Sequence, residues 1–255
     1  RPFRPETIPA DILACLREAG ALAHTGEGLK SRLRASTLHG RLHLHSAYPT
    51  KEKDAVFFGP DSYRFADFIA AERGAPVEGV AVDIGTGAGV GALAVAALHP
   101  RARVLATDIN DKALRLARAN AAHAGLQVEL LHGAGLETVD EPLALVVANP
   151  PYIADDGGRT YSDGGGAVGA EISLDWARHA CAKLEPRGRL LLYTGSAIID
   201  GRDAMREGLE GIAAGSGCVM RYRELDPDVF GGTLSRPAYR EVERIAAVGA
   251  VLTRA

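Results

Sequence analysis

Cysteine, methionine and tryptophan are scarce in this 255-residue chain, with three, two and one copies, and aromatic residues make up only 5% of it. Cys15, Cys181 and Cys218 lie far apart without paired spacing, which excludes a disulfide framework and suits reduced packing residues in the cytoplasm. No apolar run approaches the length of a membrane span, and no signal-peptide pattern is visible, so no membrane partner is expected. The chain starts at Arg1, so further residues are expected before it. A strong charge of either sign is also missing. Twenty-nine Lys and Arg against 32 Asp and Glu leave a formal net charge of −3, without the basic excess that normally marks a nucleic-acid surface. Lys30, Arg32, Arg34 and Arg41 do cluster near the N-terminus, as a local basic patch or as a solvated helix face.

The composition is that of a packed domain. A hydrophobic fraction of 47% over this length suits one core carrying a catalytic domain, residues 56–255, and a short accessory or substrate-recognition extension, residues 1–55. Within the extension, Ile12, Leu13 and Leu16 recur at helical spacing, predicting a helix over Pro9–Ala19 with a cap from the Thr7-Ile8-Pro9 stretch. Arg41-Leu42-His43-Leu44-His45 alternates polar and apolar, as a hairpin arm with both histidines on one face. With no cysteine or carboxylate at matching spacing, His39, His43 and His45 read as neutral surface residues, and no metal site is expected. Phe57 to Phe65, rich in aromatics, is either a lid or a hinge before the catalytic domain.

Val80-Ala81-Val82-Asp83-Ile84 is a short apolar run that breaks into Gly85-Thr86-Gly87-Ala88-Gly89 and then into an alanine-rich helix. Glycines allow positive φ and close approach of a ligand, and the helix that follows presents its first amides to the same place. Such a loop occurs in dinucleotide sites too, but there the residue before it is normally apolar. Here Asp83 puts a carboxylate at the strand end, suited to a cationic amino group. About twenty residues later Arg103–Asp108 makes a second strand ending in a carboxylate. Asp108 suits two ribose hydroxyls, or alternatively the N-cap of a helix over Lys112–Ala124. A third apolar run, Leu143–Ala148, closes on Asn149-Pro150-Pro151-Tyr152. Two prolines end the ladder there, so the Asn149 side-chain oxygen and the Pro150 carbonyl can accept both hydrogens of an –NH2 group while Tyr152 lies against the plane that carries it.

Further strands are predicted at Gln127–Leu131, Arg189–Thr194, Cys218–Glu224 and Glu243–Val248, with a helix over Leu174–Leu184 and a turn at Pro186-Arg187-Gly188. The alternation with helices predicts an α/β fold: a seven-stranded, mostly parallel, Rossmann-like sheet with helices on both faces, ligands binding beyond the carboxyl ends of the strands. Asp83, Asp108 and Asn149 all fall at such ends. The glycine-dense stretch from Ile153 to Gly169 reads as part of a substrate pocket or as a surface connection.

The order Asp-Ile-Gly-Thr-Gly-x-Gly, Thr-Asp-Ile-Asn, Asn-Pro-Pro-Tyr resembles the class I S-adenosylmethionine-dependent methyltransferases. It is most similar to the branch that methylates glutamine amides of peptide-chain release factors, with RNA and DNA base N-methyltransferases next. The resemblance implies S-adenosylmethionine as cofactor and an antiparallel last strand. It implies that Asp83, Gly85, Thr86, Gly87 and Gly89 hold the methionine portion, that Asp108 meets the ribose and that Ile109 stacks on the adenine. It makes Asn149, Pro150 and Tyr152 the catalytic clamp, with Asn149 counted among the cofactor contacts as well. Two departures stand out. His132-Gly133-Ala134 lacks the acidic or polar residue that commonly meets the adenine amino group, which leaves base recognition to backbone groups. The segment before Val56 also does not match the helical domain that docks protein substrates in the release-factor enzymes. The expected reaction is methylation of a planar nitrogen, with a protein glutamine (on a translation factor, for example) ahead of a nucleobase of RNA or DNA, or a small-molecule amine or amide. A cofactor-binding module without turnover and a dinucleotide oxidoreductase are the contrasting readings, disfavoured by the clamp and by Asp83.

Overall fold

The computed structural model describes residues 1–50, 52–153 and 170–255. In chain order these form α1 (Ala10–Glu18), β1 (Leu22–Thr25), β2 (Gly28–Ser31), β3 (Leu33–Leu38), β4 (Arg41–Ser46), α2 (Pro60–Ala71), β5 (Val80–Ile84), α3 (Val90–Leu98), β6 (Arg103–Asp108), α4 (Asp111–Ala124), β7 (Glu129–His132), β8 (Leu143–Ala148), α5 (Glu171–Lys183), β9 (Leu184–Ile199), β10 (Arg202–Asp203), α6 (Ala204–Ser216), β11 (Cys218–Asp226) and β12 (Arg244–Arg254).

Seven strands run in the order β11-β12-β9-β8-β5-β6-β7, and the two-residue β10 adds to β9. Pairing is parallel from β9 through β8, β5 and β6 to β7, whereas β12 is antiparallel to both neighbours, as the family resemblance implies. The apolar runs are continuous because both faces are covered. In β8, Leu145 and Val147 face the core packed by α2 and α3, while Val146 and Ala148 face the one packed by α5 and α6. Burial of each of the Leu and Val side chains contributes roughly 1.5–3 kcal/mol.

Register decides where the site lies. Ile84 pairs with Thr107 on one side and with Ala148 on the other, so β5, β6 and β8 end level with one another. Strand order reverses at β5, and a crevice opens at such a reversal.

Several boundaries differ from those read in the sequence. Strand β9 starts at Leu184 and contains the predicted turn: Leu143 pairs with Leu184 but Leu145 with Arg189, so Pro186-Arg187-Gly188 forms an irregularity within the strand, with Arg187 at φ 65°. Strand β12 runs to Arg254 because its apolar run is paired on both edges. Thr7 does not cap α1; its hydroxyl donates to Arg4 O, and Pro9 stands at the cap with no side-chain bond. Cys15 is exposed, whereas Cys181 and Cys218 are buried beside each other, which with burial pushes the Cys181 thiol up to about 12.

The basic cluster is not a helix face. Lys30, Arg34 and Arg41 lie on β2, β3 and β4, and Arg32, between strands, pairs with Glu52 at 3.5 Å. Strands β3 and β4 form a hairpin around His39-Gly40, both at positive φ as a two-residue turn requires. His43 and His45 do share a face, but it is a buried one: the His45 ring stacks on Phe58 at 4.9 Å, and burial lowers both imidazole pKa values. Asn120 of α4 fastens the hairpin. Its Oδ1 accepts from Leu44 N at 2.7 Å, and its Nδ2 donates to Leu44 O and to Ala88 O at 3.0 and 2.9 Å. Replacing Asn120 by Ala removes three hydrogen bonds to backbone groups, that to Ala88 O buried and those to Leu44 part-buried, and should cost about 2–3 kcal/mol in urea denaturation, with faster exchange of the Leu44 amide; an unchanged exchange rate would show that the hairpin is held elsewhere.

Candidate functional site

The level ends of β5, β6 and β8 open into one cavity of about 390 Å³, lined by residues from all three and from α2, α5 and the β11–β12 connection. The three glycines after β5 are there for different physical reasons. Gly85, at φ 65°, turns the chain, and a Cβ on it would stand 2.5 Å from Trp176 Cη2. Gly87, at φ 54°, faces the cavity, and a Cβ there would meet no atom nearer than Gly85 O at 4.0 Å, so this is space open to a ligand. Gly89 does not line the cavity; its missing Cβ lets α3 and α4 approach, since Leu93 and Ala117 would lie at 3.0 and 3.3 Å. The sequence suggested positive φ and ligand approach for all three; each has the positive φ, but only Gly87 leaves open space where its Cβ would stand.

Asp83 is 2% exposed beneath this turn. Its Oδ2 accepts from Thr86 Oγ1 at 2.6 Å and from Ala92 N at 2.8 Å, tying the turn to the start of α3. Burial raises its pKa to about 7, against the opposing pull of these two donors. A carboxyl so buried would be favoured in its ionised form by a cation beside it.

Asp108 sits at the end of β6 with Oδ2 accepting from Gly87 N at 2.9 Å and Oδ1 from Asn110 N at 2.9 Å. It is not the cap of α4: Asn110 takes that part, accepting from Lys112 N at 2.9 Å. Each Asp108 oxygen retains acceptor capacity for a hydroxyl. Burial raises this carboxyl too, with the backbone amides opposing. The next residue, Ile109, is 51% exposed on the cavity wall, an apolar surface for a flat ring.

Asn149, Pro150, Pro151 and Tyr152 line the cavity beyond β8. The Tyr152 ring is buried, packed where any side chain on Gly195 of β9 would collide with it, and it meets Phe230 edge-on at 5.9 Å. Its hydroxyl lies beside Asp61 and Tyr193, close enough to feel both, but no partner stands in hydrogen-bonding geometry. Burial, then the Asp61 charge, holds this phenol well above its ordinary pKa and therefore neutral. Asp61 itself is 4% exposed, accepts from Tyr193 Oη at 2.8 Å and lies 3.7 Å from Arg64, which is engaged with Asp226 at 2.6 Å. Burial raises its pKa, and the Tyr193 hydrogen bond opposes the rise.

Three of these residues escaped sequence reasoning as members of the site. Asp61 lies within the stretch read as a lid or hinge; Pro60 opening a helix and Ser62 Oγ accepting from Gly59 N at 3.2 Å are a helix-start signature that could have placed it. That stretch supplies walls, with Phe57, Ser62 and Phe65 on the cavity. Phe230 stands at φ 57°, rare for a bulky side chain, and carries 41% of its surface exposed. Trp176 comes from α5, with no local cue. Of the glycine-dense stretch, Ile153 lines the cavity and the remainder, 154–169, lies outside the described residues. Among the described residues no three His, Cys, Asp or Glu side chains gather as metal ligands, and no helix is long and apolar enough to cross a membrane.

Residues 66–210 match the Methyltransferase small domain family. A release factor glutamine methyltransferase of Deinococcus radiodurans is 40% identical over 121 residues, covering 44% of this chain and 44% of that protein. The enzyme of the same name from Moorella thermoacetica is 36% identical over 187 residues, covering 68% and 63%. The chain thus spans less than two thirds of the length of either. Among solved structures, a T. Thermophilus 16S rRNA N2 methyltransferase in complex with AdoMet and guanosine superposes with a TM-score of 0.57 at 16% identity, over 88% of this chain and 50% of that one. A geranyl diphosphate C-methyltransferase of Streptomyces coelicolor, in complex with S-adenosyl-L-homocysteine, gives 0.55 at 15% identity, over 74% and 78%. These two likenesses speak to the fold. With the sequence match extending over more than half of its length, the chain belongs to the methyltransferase small domain family.

Proposed function

We propose that the chain is an S-adenosylmethionine-dependent N-methyltransferase acting on a planar amide or amino nitrogen, with a glutamine side-chain amide of a protein as its acceptor. The observation that carries this is the meeting, in one cavity, of an open glycine turn, a ribose-competent Asp108 and the Asn149-Pro150 pair of acceptors. The residues fit the cofactor. The space over Gly87 admits it, Asp83 suits its ammonium group, Asp108 its ribose hydroxyls and Ile109 its base.

Bound there, S-adenosylmethionine supplies an electrophilic methyl group. The chain's own task is to present a poor nucleophile, because an amide lone pair is delocalised into its carbonyl. Asn149 Oδ1 and the Pro150 carbonyl accept the two N–H hydrogens, fixing the nitrogen and stabilising the positive charge that develops on it; the methylated nitrogen, now acidic, gives up one of these protons along the Asn149 or Pro150 contact. Holding both reactants together supplies much of the remaining acceleration. Tyr152, kept neutral by burial, contributes an aromatic wall rather than a charge. Residues 1–55 serve as the accessory surface for the protein substrate, and a translation factor in the cytoplasm is the partner that the similarity to release factor methyltransferases favours. The formal charge of −3 gives no comparable support to RNA.

Treating a cell extract with the protein and isotopically labelled S-adenosylmethionine, followed by mass spectrometry, should place the label on a protein glutamine; label in RNA or in a small metabolite would overturn the acceptor assignment. Asn149→Ala should lower kcat/KM by about 100- to 1,000-fold while calorimetric affinity for the cofactor stays nearly constant, and equal losses in both would remove Asn149 from the clamp.

Asp83 generates a pH dependence. Its carboxyl ionises at about 7 in the ligand-free protein, and a bound ammonium favours the ionised form, lowering that value. Binding therefore expels a proton below about 7, so affinity should rise with pH from 5.5 to about 7 and then level off. Calorimetry across this range should show the rise in the wild type and a flatter profile in Asp83→Asn. Identical profiles would mean that Asp83 only braces the turn.

A further inference from the structure

Trp176, the single tryptophan, is a large side chain on the cavity that the reading above leaves without a task. It is presented by a fixed element: on α5, Ala177, Ala180 and Cys181 are fully buried against the sheet, and the Ser173 and Thr194 hydroxyls hydrogen-bond at 2.8 Å. The ring spans two turns that follow different strands. Its benzo edge lies against Gly85, after β5, while Nε1 lies 3.6 Å from where a Cβ on Gly135, after β7, would stand. Gly135 is in turn held to β6, its carbonyl accepting from Thr107 Oγ1 at 2.8 Å, and Thr86 N donates to Thr107 O at 2.9 Å. The indole is thus a half-buried floor shared by both turns, and it lines the cavity along with Gly133, Ala134 and Gly135.

That stretch carries no polar side chain apart from His132, whose ring is turned toward Ile109 O at 3.1 Å. Whatever flat ring enters beside Asp108 therefore meets glycines and an alanine, the exposed Ile109, an indole, and Asn110, whose amide is already engaged with Asp54 O and Lys112 N. An aromatic slot of this kind holds a purine by stacking and apolar contact, and an indole N–H adds one directional donor. We propose that Trp176 is a further cofactor-contact residue, forming the wall for the nucleoside end of the cofactor and replacing the polar base contact that the chain lacks after β7. This rests on reading the cavity as the S-adenosylmethionine site.

The test uses the ligand-free protein and S-adenosylhomocysteine and adenosine as probes. Because no second tryptophan is present, selectively excited emission reports this ring alone. Emission should change saturably with S-adenosylhomocysteine, with the midpoint that calorimetry gives. Trp176→Leu should weaken binding of S-adenosylhomocysteine and of adenosine by the same factor, about tenfold, with Trp176→Phe losing less because it keeps a ring in place. An unchanged emission at calorimetric saturation would overturn the proposal even if the variants fold poorly, as would wild-type affinity in a folded Trp176→Leu. A loss confined to S-adenosylhomocysteine would overturn the nucleoside assignment. No binding heat in the wild type would refute the cofactor reading itself, and the proposal with it.

Discussion

The site is organised by a carboxylate that solvent barely reaches. Asp83 ends a central strand, and its Oδ2 takes two donors from the segment that follows, one at the turn and one at the head of α3. A buried, largely uncompensated charge is costly, which is why its pKa moves toward neutrality instead of staying with ordinary carboxylates. The cost is tolerated because those two bonds fix a glycine-rich turn in which Thr86 is the one polar side chain available to hold it. From that turn the constraint passes on: Thr86 N donates to Thr107 O and Gly87 N to Asp108 Oδ2, so the end of β6 is oriented by the same few residues.

Beyond this corner the cavity has two characters. On the Asp83 and Asp108 side it offers carboxyl oxygens that already accept backbone donors and retain capacity for more. On the Asn149 side it offers neutral oxygens and aromatic walls, with one carboxylate, Asp61, withdrawn behind Tyr193 and Tyr152. Opposite demands explain the division. A cofactor with an ammonium group and hydroxyls is held best by carboxylates, whereas a fixed anion beside the acceptor nitrogen would gain more from binding a cation than from binding an amide.

How much of this could be read from the chain depends on how local the cause is. Strand ends were legible because an apolar run that stops at Asp or at Asn-Pro-Pro is a statement about adjacent residues. The parallel sheet followed from alternation, and convergence of Asp83, Asp108 and Asn149 followed from the sheet. Trp176 and Phe230 were not legible, and Asp61 only as far as the helix start that carries it, since each reaches the cavity through tertiary packing: α2 laid over β9, α5 lying under two turns, a connection curling back to Tyr152. The glycines show the same limit from the other side. Gly85 looks like a ligand-approach residue in sequence, yet the atom its Cβ would strike belongs to Trp176, ninety-one positions further along. Likewise, Asn110 rather than Asp108 caps α4, a choice that two neighbouring candidates leave open until geometry decides.

The histidine hairpin shows how the N-terminal segment is joined to the glycine turn. Read alone, alternating His and Leu suggests an exposed arm; in the fold, the His face turns inward onto Phe58, and Asn120 binds both backbone groups of Leu44. The same Asn120 amide reaches Ala88 O, within the glycine turn. One side chain on α4 therefore contacts the extension and the turn together, and no rearrangement of the hairpin at Leu44 can leave that amide undisturbed. An extension that differs from the helical docking domain implied by the family resemblance is in this way tied to the glycine turn through one buried side chain. Its sequence is therefore constrained by Asn120 as well as by its own strand pairing.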